Sequence, residues 1–405
     1  MTSGRLVAST LVTPRGDRPA RGPAMGDLRT CSPGAVAWSE GRITFVGAPE
    51  DLPPGPAPEV VEGATIAPGF VDAHTHLPFV GWRADEFEAR LAGATYRDQA
   101  GEGGGIPRSA RMLAAATDDE VLAFCAPLVA EMASLGTTTL ELKTGYGLSV
   151  EAELRQARLA RDLASRAPQS CTLTLLACHA VPEGRTRASW VAEVCGDLIP
   201  AAAELVDAVD VYVEDIAFSL DDLERVAAAA AAAGLALRCH ADQLADSGAA
   251  AAAVRLGARS ADHLNHTDPG GVAALAGSDT VALLLPTSTL ALAAHPAPAR
   301  ALVDAGAAVA VATDANPGTS PVVSMPEAIA AACALYRLSP DEALVAATLN
   351  AAAALGLAGE TGTLEVGKRA DIVVLEGDGF RDVPYRMGHA PVLRTVAAGR
   401  EVFRR

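Results

Sequence analysis

The sequence predicts an α/β protein: a (β/α)8 barrel with a small β-sandwich domain formed by both termini. Three observations carry that prediction. Eight apolar runs recur through the middle of the chain, each followed by a polar or glycine-bearing turn and an Ala/Leu/Arg/Glu-rich helical pattern. Short strand-like pieces, broken by Pro- and Gly-rich turns, fill both ends. The polar residues suited to chemistry fall at the ends of the apolar runs, where a barrel would gather them on one rim.

Taken in order, the N-terminal pieces are residues 4–12, 35–39 and 42–47, separated by RGDRPARGP and later followed by PEDLPPGPAPE. The C-terminal ones are residues 363–364, 370–375, 392–397 and 401–403. Neither end shows a helical period of useful length, so residues 1–63 and 361–405 are expected to form one composite β domain. The runs of the intervening 64–360 segment are residues 66–76, 136–143, 171–180, 209–214, 235–240, 259–263, 281–286 and 308–313. They are apolar on both faces, as parallel strands buried between an inner core and an outer helical layer require. An open doubly wound sheet is the competing architecture, but no GxGxxG loop follows an early strand.

Composition narrows the function. The chain has 405 residues, is 50% hydrophobic and 20% charged, and carries a formal net charge of −17, which fits a globular enzyme and argues against a nucleic-acid surface. Seven cysteines at wide spacing, with no CxxC, indicate neither a disulfide framework nor a thiolate zinc site. The N-terminus does not read as a secretory signal, and the Ala-rich stretch 226–233 is too short to span a bilayer. A cytoplasmic location is the expectation.

The chemistry centres on PGFVDAHTH, residues 68–76. Successive side chains of a strand alternate faces, so His74 and His76 point the same way and offer two adjacent positions on one ion. Alone, such a pair is more often two unrelated histidines. Other runs supply more: His179 ends the third, Glu214 the fourth, His240 the fifth, His263 the sixth, and Asp314 follows the eighth. Asp314 alone could be a turn residue and His240 alone a packed core histidine. Jointly, His74, His76, His240 and Asp314 are read as ligands of one divalent or trivalent metal, zinc or iron. Cys178 and Cys239 precede histidines and are expected to face the helices as core residues. Lys143 reads as a structural or substrate-side cation, and Glu214 is the residue best placed to bind a second metal.

PGFVDAHTH, the distal His and Asp, and the closing GTLEVGKRADIVVL resemble the amidohydrolase superfamily. HTHLPFVGWR, GEGGGI, GTTTLELKTGYGL, ACHAVP, CHADQL, SADHLNHT, LLPTST and ATDANPGTSP narrow the resemblance to its imidazolonepropionase family. That resemblance implies hydrolysis of the cyclic amide of imidazolone propanoate to N-formimidoyl-L-glutamate in histidine degradation. It assigns His74, His76, His240 and Asp314 to the metal. It sets Arg83, Tyr96, Tyr146, His179, Gln243 and Thr319 around the substrate, and Asn316 and Gly318, with Tyr146, against the opened product. His263 matches a histidine that steadies developing charge, and Asp314 would also move the proton from water to the leaving ring nitrogen. Arg83 is expected to grip the propanoate in a two-pronged hydrogen bond. Gln243 stands where some members have Glu, so hydrogen bonding to the ring is the role expected of it. The partners expected are the small-molecule substrate and a second copy in a homodimer, with neither nucleic acid nor membrane. The alternative is another amidohydrolase, such as a deaminase or cyclic amidohydrolase acting on a small nitrogen heterocycle; a non-catalytic scaffold would be expected to have lost ligands.

Overall fold

The structure is a computed structural model, and it describes residues 2–94, 98 and 103–405. Two sheets organise it. The first is mixed and draws on both chain ends. Its N-terminal strands are β1 (Gly4–Thr13), β2 (Arg29–Cys31), β3 (Gly34–Ser39), β4 (Arg42–Gly47) and β5 (Glu59–Pro68). The second sheet is the barrel: β6 (Phe70–Asp72), β7 (Thr137–Lys143), β8 (Ser170–Cys178), β9 (Ala208–Val213), β10 (Ala236–Ala241), β11 (Ser260–His263), β12 (Val281–Leu284) and β13 (Val309–Val311). The chain then returns to the first sheet as β14 (Ile372–Glu376), β15 (Val392–Ala397) and β16 (Arg400–Arg404).

In the terminal sheet the order is β16-β15-β14-β5-β1-β3-β4, with β2 on β1. β5 lies parallel to β1 and antiparallel to β14, which joins the two ends of the chain in one hydrogen-bonded surface. Leu6, Leu11, Trp38, Ile43, Ile66, Ile372, Val374 and Val396 form its core. Burying these side chains is what makes sequence-distant strands pair, since isolated two-stranded ribbons are marginal in water. The sequence reading assigned residues 66–68 to the first barrel run. They belong instead to β5, and the barrel begins at Phe70. Continuous apolar character across Gly69 hid that boundary, because both flanking strands are buried.

The eight barrel strands are parallel and sequential, β6 through β13. Closure is carried by the chain just past the first and last strands: Thr75 bridges Ala315, and the His76 N–H donates to Ala315 O at 2.9 Å. Every residue of β7, β9, β11, β12 and β13 is buried, the pattern of strands covered on both faces. Helices such as Asp118–Ser134, Val150–Arg166 and Leu220–Ala232 cover the outside. The first and third begin with capping boxes, Thr117 with Glu120 and Ser219 with Asp222. Among the described residues no helix is long and apolar enough to cross a membrane.

Candidate active site

The histidines gather because their strands end on one rim. His74 and His76 follow β6, His240 lies in β10, His263 ends β11 and Asp314 follows β13. Asp314 Oδ1 is 3.2 Å from His76 Nε2 and 3.6 Å from His74 Nε2. The His240 ring centroid lies 4.5 Å from that of His74 and 5.1 Å from that of His263. Two overlapping sets of donors result, His74–His76–Asp314 and His74–His240–His263, each with its ligand atoms within 4.8 Å of one another.

Whether a cation fits is decided by unsatisfied atoms. His74 Nε2, His240 Nε2 and Asp314 Oδ1 are buried without a hydrogen-bond partner among the described residues. A buried polar atom left unpaired is costly, and three in two overlapping donor sets are not a stable arrangement of protein alone. A cation held by His74, His76 and Asp314 satisfies His74 Nε2 and Asp314 Oδ1, and His240 belongs to the second, overlapping donor set, so the residues fit a metal.

The backbone is shaped for the same point. Asp314 has φ +55° and His263 φ +77°, left-handed values that non-glycine residues seldom adopt. Asp314 is kept there by its neighbours. Asp72 accepts the Thr313 N–H at 3.0 Å and its hydroxyl at 2.6 Å, while Thr287 and Ser320 hydroxyls donate to Thr313 O. Asn316 Nδ2 donates to Asp314 O at 2.7 Å. Burial raises the Asp314 carboxyl above its ordinary range, against the pull of His263 and His240; burial also pushes His263 down to about 3, so it is neutral.

Beneath the histidines lies a dry charge network. His74 Nδ1 is 2.6 Å from Asp262 Oδ2, which turns Nε2 towards the metal position, and His240 Nδ1 lies 3.0 Å from Asp210 Oδ2. Arg238 bonds Glu141, Asp262 and the Ala73 carbonyl, and Lys143 Nζ reaches Glu141 at 2.9 Å and Asp210 at 2.8 Å. Lys143 is fully buried inside the barrel, so of its two expected roles the structural one matches its placement. The sequence reading missed Glu141, Asp210, Arg238 and Asp262. A signal existed for three of them: charges two residues before Lys143, Tyr212 and His240 in otherwise apolar runs, hence on the same inward face.

Above the metal position opens a small cavity of about 30 Å³. Of the residues expected around substrate and product, Arg83, Tyr146, His179, Gln243, Asn316 and Thr319 line it, as does His263. Ile106 and Tyr212 also line it and were not anticipated; each sits in a stretch already singled out, GEGGGI and the fourth run. Tyr96 lies outside the described residues. His179 Nδ1 is 3.1 Å from Gly145 O, which places its proton on Nδ1 and leaves Nε2 as an acceptor. Its ring stacks on His76 at 5.1 Å. Burial, with His76 and His240 nearby, holds its pKa well below the ordinary imidazole value.

Arg83, expected to grip the propanoate, is partly engaged by the protein itself. Its Nη1 donates to Gly105 O and to Ser109 Oγ, both at 2.6 Å, and Nε faces Glu86 Oε2 at 3.1 Å. Nη1 is thus bonded twice, while Nε is buried without a hydrogen bond among the described residues and has only the ion contact with Glu86; the helix Gly105–Ala115 and Glu86 flank the guanidinium. Gly318 does not line the cavity but backs the guanidinium: a Cβ there would sit 1.8 Å from Nη2. Glu214, the candidate for a second metal, belongs to neither donor set among the described residues. Cys178 and Cys239 are buried free thiols.

The amidohydrolase family model matches residues 65–402. Imidazolonepropionase of Rubrobacter xylanophilus is 46% identical over 395 residues, covering 96% of this chain and 95% of that protein. Imidazolonepropionase of Deinococcus radiodurans is 42% identical, covering 97% and 98%. Among solved structures, a zinc-bound adenosine deaminase from Xanthomonas campestris superposes with a TM-score of 0.73 at 20% identity, covering 98% of this chain and 92% of that one. Escherichia coli guanine deaminase gives 0.70 at 19% identity, with 100% of both chains covered. These two show the fold alone. With the family model spanning most of its length and relatives above 40% identity along nearly all of it, the chain belongs to the amidohydrolase family and, within that family, to the imidazolonepropionases.

Proposed function

We propose that this chain hydrolyses the ring C–N bond of 4-imidazolone-5-propanoate to N-formimidoyl-L-glutamate, a step of L-histidine degradation. The observation that carries the reading is the cavity in which Arg83, His179 and Gln243 face the donors His76, His240 and Asp314. His74, His76, His240 and Asp314 would hold one zinc or iron ion, which when bound supplies an acidified water and a Lewis acid.

The chain's own residues do the rest. Arg83 meets the propanoate through its guanidinium, Nη2 included, in a charge-assisted contact. His179 Nε2 accepts a ring N–H. The Gln243 amide, which is neutral, hydrogen-bonds the ring instead of acting as a base. Tyr146 and Tyr212 wall the cavity and limit water around the ring. Asp314 takes the proton of the attacking water and returns it to the ring nitrogen as the C–N bond opens. The neutral His263 offers a hydrogen bond where negative charge develops on the carbonyl oxygen. After opening, Asn316 and Thr319 remain beside the new carboxylate.

The reading extends to a cytoplasmic homodimer without nucleic-acid partner, supported by the charge of −17 and the seven free cysteines for all but the oligomer, which rests on resemblance. It also takes residues 64–360 as the catalytic unit. The test follows the absorbance of imidazolone propanoate generated in situ. Metal-loaded protein should consume it and release an equal amount of N-formimidoyl-L-glutamate. Ammonia released from a nucleobase, with the imidazolone untouched, would establish the deaminase alternative.

A further inference from the structure

We propose that Glu214 is a positioning residue, a clamp on the backbone that sets the Gln243 side chain in the cavity. Glu214 follows β9 two residues beyond Tyr212, on the inward face of the strand. Its Oε1 accepts the backbone N–H of Gln243 and that of Leu244, both at 2.7 Å. The chain has just reversed at Asp242, whose φ is +51°, and leaves the sheet there. The far side of this loop is held separately: the Asp242 carboxylate accepts Ser247 N, Ala249 N and the Thr267 hydroxyl. The near side has Glu214.

Gln243 depends on that clamp. Among the described residues no hydrogen bond holds its side-chain amide, so the place of the amide follows from its backbone. A cavity side chain misplaced by about an ångström can lose most of its contribution to binding. Glu214 Oε2 is buried with no partner among the described residues, so one oxygen does the work. Burial pushes this carboxyl up to about 7 despite the two N–H donors, which fits an acceptor whose charge is dispensable. A glutamine can present the same oxygen; alanine cannot, and aspartate falls short by one methylene. No role as a metal ligand is needed, and Glu214 stands outside both donor sets among the described residues.

The kinetic part of the test rests on the proposed activity, and the exchange part does not. Amide hydrogen exchange at Gln243 and Leu244 should quicken by about tenfold or more in Glu214→Ala and stay near the native rate in Glu214→Gln. With imidazolone propanoate, Glu214→Ala should raise KM about tenfold with kcat within about threefold, while Glu214→Gln restores KM. In a Gln243→Ala background, Glu214→Ala should add nothing further, the mark of two residues acting as one. Glu214→Asp serves if the alanine variant does not fold, and should behave like it. Unchanged exchange in Glu214→Ala, additive effects in the cycle, or a glutamine variant as impaired as alanine would each overturn the proposal. So would loss of a second equivalent of metal. If the native protein leaves imidazolone propanoate intact, the proposed activity fails while the exchange result still decides the clamp.

Discussion

Asp262 Oδ2 and His74 Nδ1 lie 2.6 Å apart, with both side chains wholly removed from solvent. The contact fixes which imidazole nitrogen is free to bind. It also ties His74 to the charge network, because Asp262 is bonded to Arg238. Carboxylates behind ligand histidines orient the ring and raise its basicity, and removing one commonly weakens metal binding about 10- to 100-fold. Asp262→Asn should therefore lose metal to a competing chelator at a concentration lower by that factor. Unchanged metal affinity would mean that the contact does not orient the ligand.

Lys143 stands between Glu141 and Asp210 with no exposure to water. Deleting one partner of a buried ion pair costs about 3–5 kcal/mol, because the remaining charges stay buried without compensation. Lys143→Met should lower stability by that amount in denaturant unfolding of the metal-free protein. A loss below about 1 kcal/mol would show that the network does not depend on its lysine.

Much of this architecture was legible in the residues, for a simple reason. Fully buried parallel strands write themselves as apolar runs, and the eight runs correspond to eight barrel strands with ends shifted by a few residues. The first run failed where β5 passes directly into β6, since two adjoining buried strands show no polar break. β2 was missed because it has only three residues, half-exposed. Residues at strand ends were readable because alternation and rim position constrain them. The Arg83 environment was not. Its Nη1 partners, Gly105 O and Ser109 Oγ, lie on a later helix, and no periodicity within residues 74–83 announces that contact.

Gly318 presses against that guanidinium. A methyl group there would overlap Arg83 Nη2 at 1.8 Å, so the arginine must move. Because Nη1 is bonded to Gly105 O and Ser109 Oγ and Nε faces Glu86, it has little room to do so. Gly318→Ala should raise KM about tenfold or more while kcat changes by less than about threefold, in steady-state assays with imidazolone propanoate. Arg83→Lys should cut kcat/KM by roughly 10- to 100-fold, the worth of a hydrogen bond to a charged group. An alanine variant that binds substrate like the native enzyme would place the propanoate away from Arg83.

Asp314 is asked to do two things, hold the metal and carry a proton. Asp314→Asn keeps the shape and an oxygen donor but removes the base, and should lower kcat by about 10²- to 10⁴-fold. Metal analysis of the purified variant separates the roles. If metal is retained and kcat stays near native, another group moves the proton.

The central claim is that buried donors from strands far apart in sequence, left unsatisfied by the protein itself, are a hydrolytic metal site. Its most direct measurement compares metal-stripped with metal-reconstituted protein on imidazolone propanoate, with N-formimidoyl-L-glutamate quantified. The account predicts that stripped protein is inactive, that one equivalent of zinc or iron per chain restores turnover, and that Asp314→Asn stays at least about 10²-fold slower than the reconstituted native protein. Full turnover by the stripped protein, or restoration only at two equivalents, would contradict it.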